Sequence, residues 1–263
     1  MGDTILMIHG MGCSEWVWDN YRGFFEKKGY SCITPTLRYH DMDPKGTPDP
    51  RLGTTSLLDY VTDLEKVIST LDTAPVVMGH SMGGIIAQML SGRNTLKATV
   101  LLTPASPRGI MPITFSVLKC FSEILMTWGY WKKPIRFSFE KLVYGVFNRT
   151  PDNEHRKLYD KMVYESGRAL FEMGNWLLDS AKTTEVDHEK VTCPVLVVSG
   201  KEDRITPASV AKKVANKYGA VSTYKEFPQN AHWVLGEPNW QEIAEFVSNW
   251  LNQVSHQSTQ KEK

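Results

Sequence analysis

The pentapeptide Gly79-His80-Ser81-Met82-Gly83 fits the pattern G-x-S-x-G. An apolar run, Pro75-Val76-Val77-Met78, leads into it, and a second, from Gly83 to Leu90, leads out. A strand that feeds a helix through such a turn holds its serine at a sharp, strained bend. Glycines two residues before and two after let the neighbouring backbone pass without a Cβ clash. Three fixed positions in five recur by chance, so the weight lies in the strand-to-helix context. A serine hydroxyl is a poor nucleophile near neutral pH and needs a base. His232, in Pro228-Gln229-Asn230-Ala231-His232-Trp233 between the last strand pattern and the last helix pattern, is the best placed of the 7 histidines. His9 precedes a glycine at a strand end and reads as structural. The His80 side chain would sit beside Ser81 rather than opposite it. His40, His155, His188 and His256 fall in loops, in a long helical stretch or in the tail.

A histidine base needs a carboxylate to fix its tautomer and stabilise the imidazolium. Asp203 follows the apolar run Pro194–Val198 in Ser199-Gly200-Lys201-Glu202-Asp203. The G-x-x-D spacing puts it in the tight turn after the strand, at the same sheet edge as Ser81; Glu202 is its neighbour and local competitor. Acyl transfer also needs donors for an oxyanion. The backbone N–H of Met82, at a helix start, and that of Met11, in His9-Gly10-Met11-Gly12 after the first strand, are the expected pair. Simple core packing is the alternative for both methionine side chains. Trp16, His80 and Trp233, close in sequence to these groups, are the candidate substrate contacts.

These residues need a scaffold, and the chain alternates accordingly. Strand patterns lie at Thr4–Ile8, Ser31–Thr34, Pro75–Met78, Ala98–Leu102, Pro194–Val198 and Thr223–Phe227. Helix patterns lie at Trp18–Lys28, Thr55–Leu71, Gly83–Leu90, Ala208–Tyr218 and Trp240–Val254. Within Thr55–Leu71, Leu57, Leu58, Val61, Leu64, Val67, Ile68 and Leu71 recur at three- and four-residue steps. Strand, helix, strand, helix implies an α/β fold with a mostly parallel, doubly wound sheet. The alternation breaks from about Pro107 to about Val186, which shows helical patterns and no convincing strand. The expected organisation is a core of residues 1–106 and 187–254, a helical lid of residues 107–186, and a polar, frayed tail of residues 255–263. Several of the lid's many aromatic and methionine residues are expected to line an apolar pocket above Ser81, without the sequence saying which; packing of all of them onto the core is the alternative.

Composition narrows the function. The 263 residues suffice for one domain, and 41% hydrophobic with 22% charged residues is ordinary for a soluble globular chain. A formal net charge of +1 gives no reason to expect nucleic acid as a partner. Lys132, Lys133, Arg136 and Lys141 read as a solvated helix face. The 4 cysteines, Cys13, Cys32, Cys120 and Cys193, are scattered, without metal-ligand spacing, and fit a reducing compartment. Cys13, beside the first loop, is a minor candidate for reactivity. No apolar run has the length of a membrane span, and the start of the chain does not read as a secretory signal, so the cytoplasm is the expectation. Neither a metal nor an organic cofactor is implied; a monomer or a homodimer is expected.

Taken together, His9-Gly10 after a strand, Gly79-His80-Ser81-Met82-Gly83-Gly84, Gly200 with Asp203, and His232 resemble the α/β-hydrolase superfamily, whose chain order is also Ser, Asp, His. The chain starts at the strand before the first loop, so the resemblance is to short members without the two leading antiparallel strands. Plant-type methylesterases and hydroxynitrile lyases start similarly, and Trp16-Val17-Trp18 looks like theirs. Ser81 stands where epoxide hydrolases and haloalkane dehalogenases of this fold carry an aspartate. The resemblance implies hydrolysis of a small apolar carboxylic ester. A thioesterase, a carbon–carbon bond hydrolase and a small-ligand receptor that retains the triad are the alternatives.

Overall fold

The computed structural model describes residues 3–261. Met1 and Gly2, and Glu262 and Lys263 of the expected tail, lie outside the described residues. The elements run β1 (Thr4–Ile8), α1 (Asp19–Lys27), β2 (Ser31–Ile33), α2 (Leu57–Ser69), β3 (Val76–His80), α3 (Met82–Ser91) and β4 (Ala98–Leu102). After β4 come α4 (Phe115–Leu125), β5 (Pro134–Ile135), α5 (Phe139–Gly145), α6 (Asp152–Asp160), β6 (Glu165–Ser166) and α7 (Gly167–Gly174). The alternation then resumes with β7 (Val195–Gly200), α8 (Ala208–Lys217), β8 (Ser222–Phe227) and α9 (Trp240–Lys261).

Six strands form one sheet in the order β2-β1-β3-β4-β7-β8, and every neighbouring pair is parallel. The reason lies in the strand sequences. Ile5 to Ile8, Val76 to Met78 and Val195 to Val198 are buried throughout, so both faces need cover. One face packs on α1 and α9, through Tyr21, Phe25, Ile243, Ala244 and Val247. The other packs on α2, α3 and α8, through Tyr60, Leu64, Ile85, Ile86 and Val214. The sheet is therefore doubly wound. Its strand order reverses direction at β1 and β3, with the loops after both strands at the carboxyl edge, where such sheets present ligand sites.

Two sequence expectations need correction. The stretch between β4 and β7 is not purely helical: Pro134–Ile135 pairs antiparallel with Glu165–Ser166. Two residues per strand are too few to leave an alternating pattern. The last helix does not stop at Val254 but runs to Lys261. The apolar period ends where the helix leaves the core, but Ser255 to Lys261 contains neither glycine nor proline to break the backbone pattern.

The turn between β3 and α3 is tightly packed. Ser81 has φ 55 and ψ −118, an unusual backbone region for a residue with a side chain. A Cβ on Gly79 would lie 2.1 Å from the Gly83 carbonyl oxygen, and one on Gly83 would lie 2.1 Å from that of Ile8. β1, β3 and α3 thus meet backbone to backbone, and neither glycine has room for a methyl group. Gly23, in the middle of α1, has no neighbouring atom within 4 Å of such a position. We therefore expect Gly83→Ala to lower the unfolding free energy by more than about 3 kcal/mol, beyond the common range for single substitutions. Gly23→Ala is expected to raise it by about 0.5–1 kcal/mol through helix propensity. Urea denaturation of both variants checks the contrast.

Candidate active site

At the carboxyl edge of the sheet, Ser81 follows β3, Asp203 follows β7 and His232 follows β8. His232 Nε2 lies 2.9 Å from Ser81 Oγ, and His232 Nδ1 lies 2.8 Å from Asp203 Oδ2. All three residues are buried. Asp203 accepts further bonds at Oδ1 from the Ile205 and Thr206 N–H groups, both 2.8 Å, and at Oδ2 from the Thr206 hydroxyl at 2.8 Å. A carboxylate only accepts, so the proton sits on Nδ1 of His232 and leaves Nε2 as the acceptor facing the Ser81 hydroxyl. The structure thus brings together the three residues that the sequence singles out. Glu202 does not join them; it lies near Arg149 at the surface, 3.6 Å away.

The loop that carries His232 is held by Glu237. This buried carboxylate accepts from the N–H groups of Ala231 (3.0 and 3.1 Å) and Trp233 (3.2 Å), on either side of His232, and from Asn230 Nδ2 at 2.7 Å. Burial outweighs these donors and leaves its acidity weaker than usual. The Asp203 turn and the His232 loop also touch through backbone: Glu202 N–H donates to the Asn230 carbonyl at 2.9 Å. A Cβ on Gly200 would lie 2.2 Å from the Ala231 carbonyl oxygen, which is why the G-x-x-D spacing opens on glycine.

Gly10 packs directly against the nucleophilic turn: a Cβ there would lie 3.1 Å from Ser81 Cβ. Met11 and Met82 line one cavity with Ser81, His232, His80 and Trp233. This cavity has a volume of about 250 Å³ and apolar walls. Leu118, Phe121, Leu125, Phe137 and Met173, all from between β4 and β7, close it from the other side. Trp16 is the exception among the candidate contacts. It does not line the cavity; it packs behind Trp233, ring centres 5.8 Å apart, with Lys161 Nζ 4.9 Å from its ring centre. It sits in the short helical turn Glu15–Trp18.

His80 and His9 are buried, and both are held neutral. Burial and the nearby His232 lower His80 to about 3, and burial and His40 lower His9 to about 4. His80 Nε2–H donates to the His232 carbonyl at 2.9 Å. Burial also pushes the Cys13 thiol well above its ordinary range, so it stays protonated and is no rival nucleophile. The sequence did not point to Thr206, Glu237 or Glu165. Glu237 left one faint signal, an acidic residue directly after the apolar run Trp233-Val234-Leu235-Gly236. Glu165, whose Oε2 lies 3.1 Å from the Gly12 N–H, left none.

The neutral histidines make the fold acid-sensitive. Their native affinity for protons is below that of the unfolded chain, so each destabilises the native state as pH falls below about 6.5, with the effect complete only below its native value. Linkage puts the cost at about 2 kcal/mol for each at pH 5. The fall in unfolding free energy between pH 7 and pH 5, read by urea denaturation, is expected to shrink by about 2 kcal/mol in His80→Gln.

With this geometry in view, the relatives are informative. The sequence profile of the Alpha/beta hydrolase family matches residues 5–246. A monoacylglycerol lipase of Mycolicibacterium smegmatis is 25% identical over 222 residues, covering 78% of this chain and 73% of the lipase. Among solved structures, a monoacylglycerol lipase of Paleococcus ferrophilus superposes with a TM-score of 0.69 at 20% identity, covering 97% of each chain. The methylesterase MES16 from Arabidopsis superposes with a TM-score of 0.71 at 12% identity, covering 95% of this chain and 99% of that one. At such identities the superpositions speak for the fold alone, whereas the profile spans nearly the whole sequence. The chain belongs to the Alpha/beta hydrolase family.

Proposed function

We propose that the protein is a serine hydrolase that cleaves carboxylic esters with apolar acyl or aryl groups through an acyl-enzyme. The observation that carries this reading is the continuous hydrogen-bonded line Asp203–His232–Ser81, with spacings of 2.8 and 2.9 Å, at the wall of an apolar cavity. Ser81 Oγ attacks the ester carbonyl carbon as Nε2 of His232 takes its proton. The Asp203 carboxylate stabilises the imidazolium so formed. The carbonyl oxygen becomes an oxyanion and is met by the N–H groups of Met82, at the start of α3, and of Met11. His232 then returns the proton to the leaving alcohol. Water, deprotonated by the same imidazole, attacks the acyl carbon and releases the acid.

The segment between β4 and β7 acts as a lid in this reading. It supplies most of the apolar wall, and the core supplies the reacting groups. Selectivity therefore follows apolar contact rather than charge. The monoacylglycerol lipase of Mycolicibacterium smegmatis, similar over most of the chain, supports the reaction class.

Two outcomes are expected with p-nitrophenyl esters. Ser81→Ala lowers kcat by at least about 10⁴-fold, the scale for loss of a catalytic serine. Lengthening the acyl chain raises kcat/KM by about fourfold per methylene until the cavity is filled, from about 0.8 kcal/mol per buried methylene. Turnover that survives Ser81→Ala overturns the mechanism. Ser81-dependent turnover of acyl-CoA with none of simple esters moves the substrate class to thioesters.

A further inference from the structure

A second buried cluster lies behind the Met11 loop, formed by His9, His40, Tyr60 and Glu165. Glu165, on β6, is fully enclosed, and donors surround it. Its Oε2 accepts from the Gly12 N–H at 3.1 Å and faces His40 Nε2 at 2.9 Å. Its Oε1 accepts from the Tyr60 hydroxyl at 3.0 Å and from the Ser166 N–H at 2.6 Å. The partners of the two histidines fix their protonation. His40 has a carboxylate at Nε2 and the Arg38 carbonyl at Nδ1, 3.0 Å away; both only accept, so both ring nitrogens carry protons. His9 Nε2 accepts from the Leu37 N–H at 3.0 Å, so its proton is on Nδ1, which donates to the Gly10 carbonyl at 2.9 Å. The two rings are 5.2 Å apart, one a cation and one neutral. Their environments agree: burial alone would lower His40, yet the Glu165 charge holds it above the ordinary value.

The cluster grips both peptide planes that flank the Met11 α-carbon. The Gly10–Met11 peptide is held by its carbonyl, on His9. A trans peptide points its N–H opposite its C=O, so this bond also sets the direction of the Met11 N–H. The Met11–Gly12 peptide is held by its N–H, on Glu165. The Gly12 carbonyl in turn accepts from the Val163 N–H at 2.9 Å, two residues before Glu165. No other acidic side chain among the described residues bonds this loop.

We propose that Glu165, paired with the His40 cation, is a positioning residue for the oxyanion hole: it reaches from the lid to lock the Met11–Gly12 peptide, so that the Met11 N–H, whose direction the His9 bond sets, is held in place towards the developing charge. The inference rests on the ester-hydrolase reading above and assigns Glu165 no contact with substrate. Glutamine is nearly isosteric but cannot replace it. Its amide group adds N–H donors where every neighbour of Glu165 is already a donor, and it leaves His40 without a counter-charge.

The test is Glu165→Gln assayed beside wild type and Ser81→Ala on a p-nitrophenyl ester, with phenylboronic acid as a probe that forms a tetrahedral adduct on the serine. Loss of a whole oxyanion donor costs about 10²–10³-fold in turnover, so a misaimed one is expected to lower kcat by about 10- to 100-fold. KM is expected to stay within about twofold and boronate affinity to fall in step with kcat, because the donor acts on the tetrahedral state. A folded variant with wild-type kcat, or one whose loss lies in KM with boronate affinity kept, overturns the proposal. If Glu165→Gln does not fold, His40→Gln takes its place. It keeps the carboxylate on Gly12 but removes the cation, and about a 3- to 10-fold loss with the same split is expected. Unchanged kcat in that folded variant overturns the proposal equally. If wild type shows no Ser81-dependent turnover, the ester reading fails and this inference falls with it. If that turnover is present and insensitive to both substitutions, the inference alone fails.

Discussion

The positive φ of Ser81 constrains everything around it. A side-chain-bearing residue in that region carries about 1–3 kcal/mol of strain and stays there only if its surroundings overdetermine it. Here they do. The Ser81 N–H donates to the Leu102 carbonyl, at the end of β4, at 3.1 Å. The Ser81 carbonyl accepts from the Gly84 and Ala105 N–H groups at 2.8 and 2.9 Å. With both its backbone groups engaged and Gly10 against its Cβ, the residue cannot relax without breaking the junction between β3, β4 and α3. The strain fixes the Ser81 side chain where α3 begins, beside the first N–H groups of that helix, which have no partner within the helix.

Around that point, buried carboxylates fix backbone. Asp203, Glu237, Glu165 and Glu172 are all buried acids, and each accepts from main-chain N–H groups. A buried carboxylate without such donors would be strongly destabilising, and with them it becomes a rigid clip. Glu237 clips the His232 loop, Glu165 the Met11 loop, and Glu172 the start of α2, where it also meets Ser56 Oγ at 2.8 Å. Neutral His9 and His80 follow the same logic from the other side. Each is a rigid N–H donor to a carbonyl, and its neutrality avoids a further uncompensated charge next to His232 and His40.

What the sequence made legible follows from range. Apolar runs and glycine spacing are local, so the six strands of the sheet, the tight turn at Ser81 and the Asp203 turn could be read from short windows. The meeting of Ser81, Asp203 and His232 could be anticipated because all three follow strands of one parallel sheet, which sends them to the same edge. Trp16 could not be placed that way: its direction depends on a short helical turn, and the aromatic character of Trp16-Val17-Trp18 is equally suited to packing behind Trp233. The paired dipeptides Pro134–Ile135 and Glu165–Ser166 were hidden because their register is set by the tertiary fold. Glu165 is the extreme case. Its partners Gly12, His40 and Tyr60 are separated from it by more than 100 residues of chain, so no window contains the reason for its presence.

That separation bears on how chemistry and selectivity are divided in the molecule. The residues between β4 and β7 supply the apolar wall, and on the reading developed above the core supplies nucleophile, base, acid and both N–H donors. A segment that only covered the cavity could be exchanged without touching the reaction. This one also carries Glu165, and with it one of the clips on the Met11 loop, while Val163 holds the next carbonyl of the same loop. Sequence changes that reshape the wall near Met162 or Leu170, both cavity-lining and only three and five residues from Glu165, therefore act on the strand that holds the loop as well as on the pocket. Altering selectivity without cost to turnover is then easiest on α4, whose Leu118, Phe121 and Leu125 line the cavity without belonging to the cluster behind Met11.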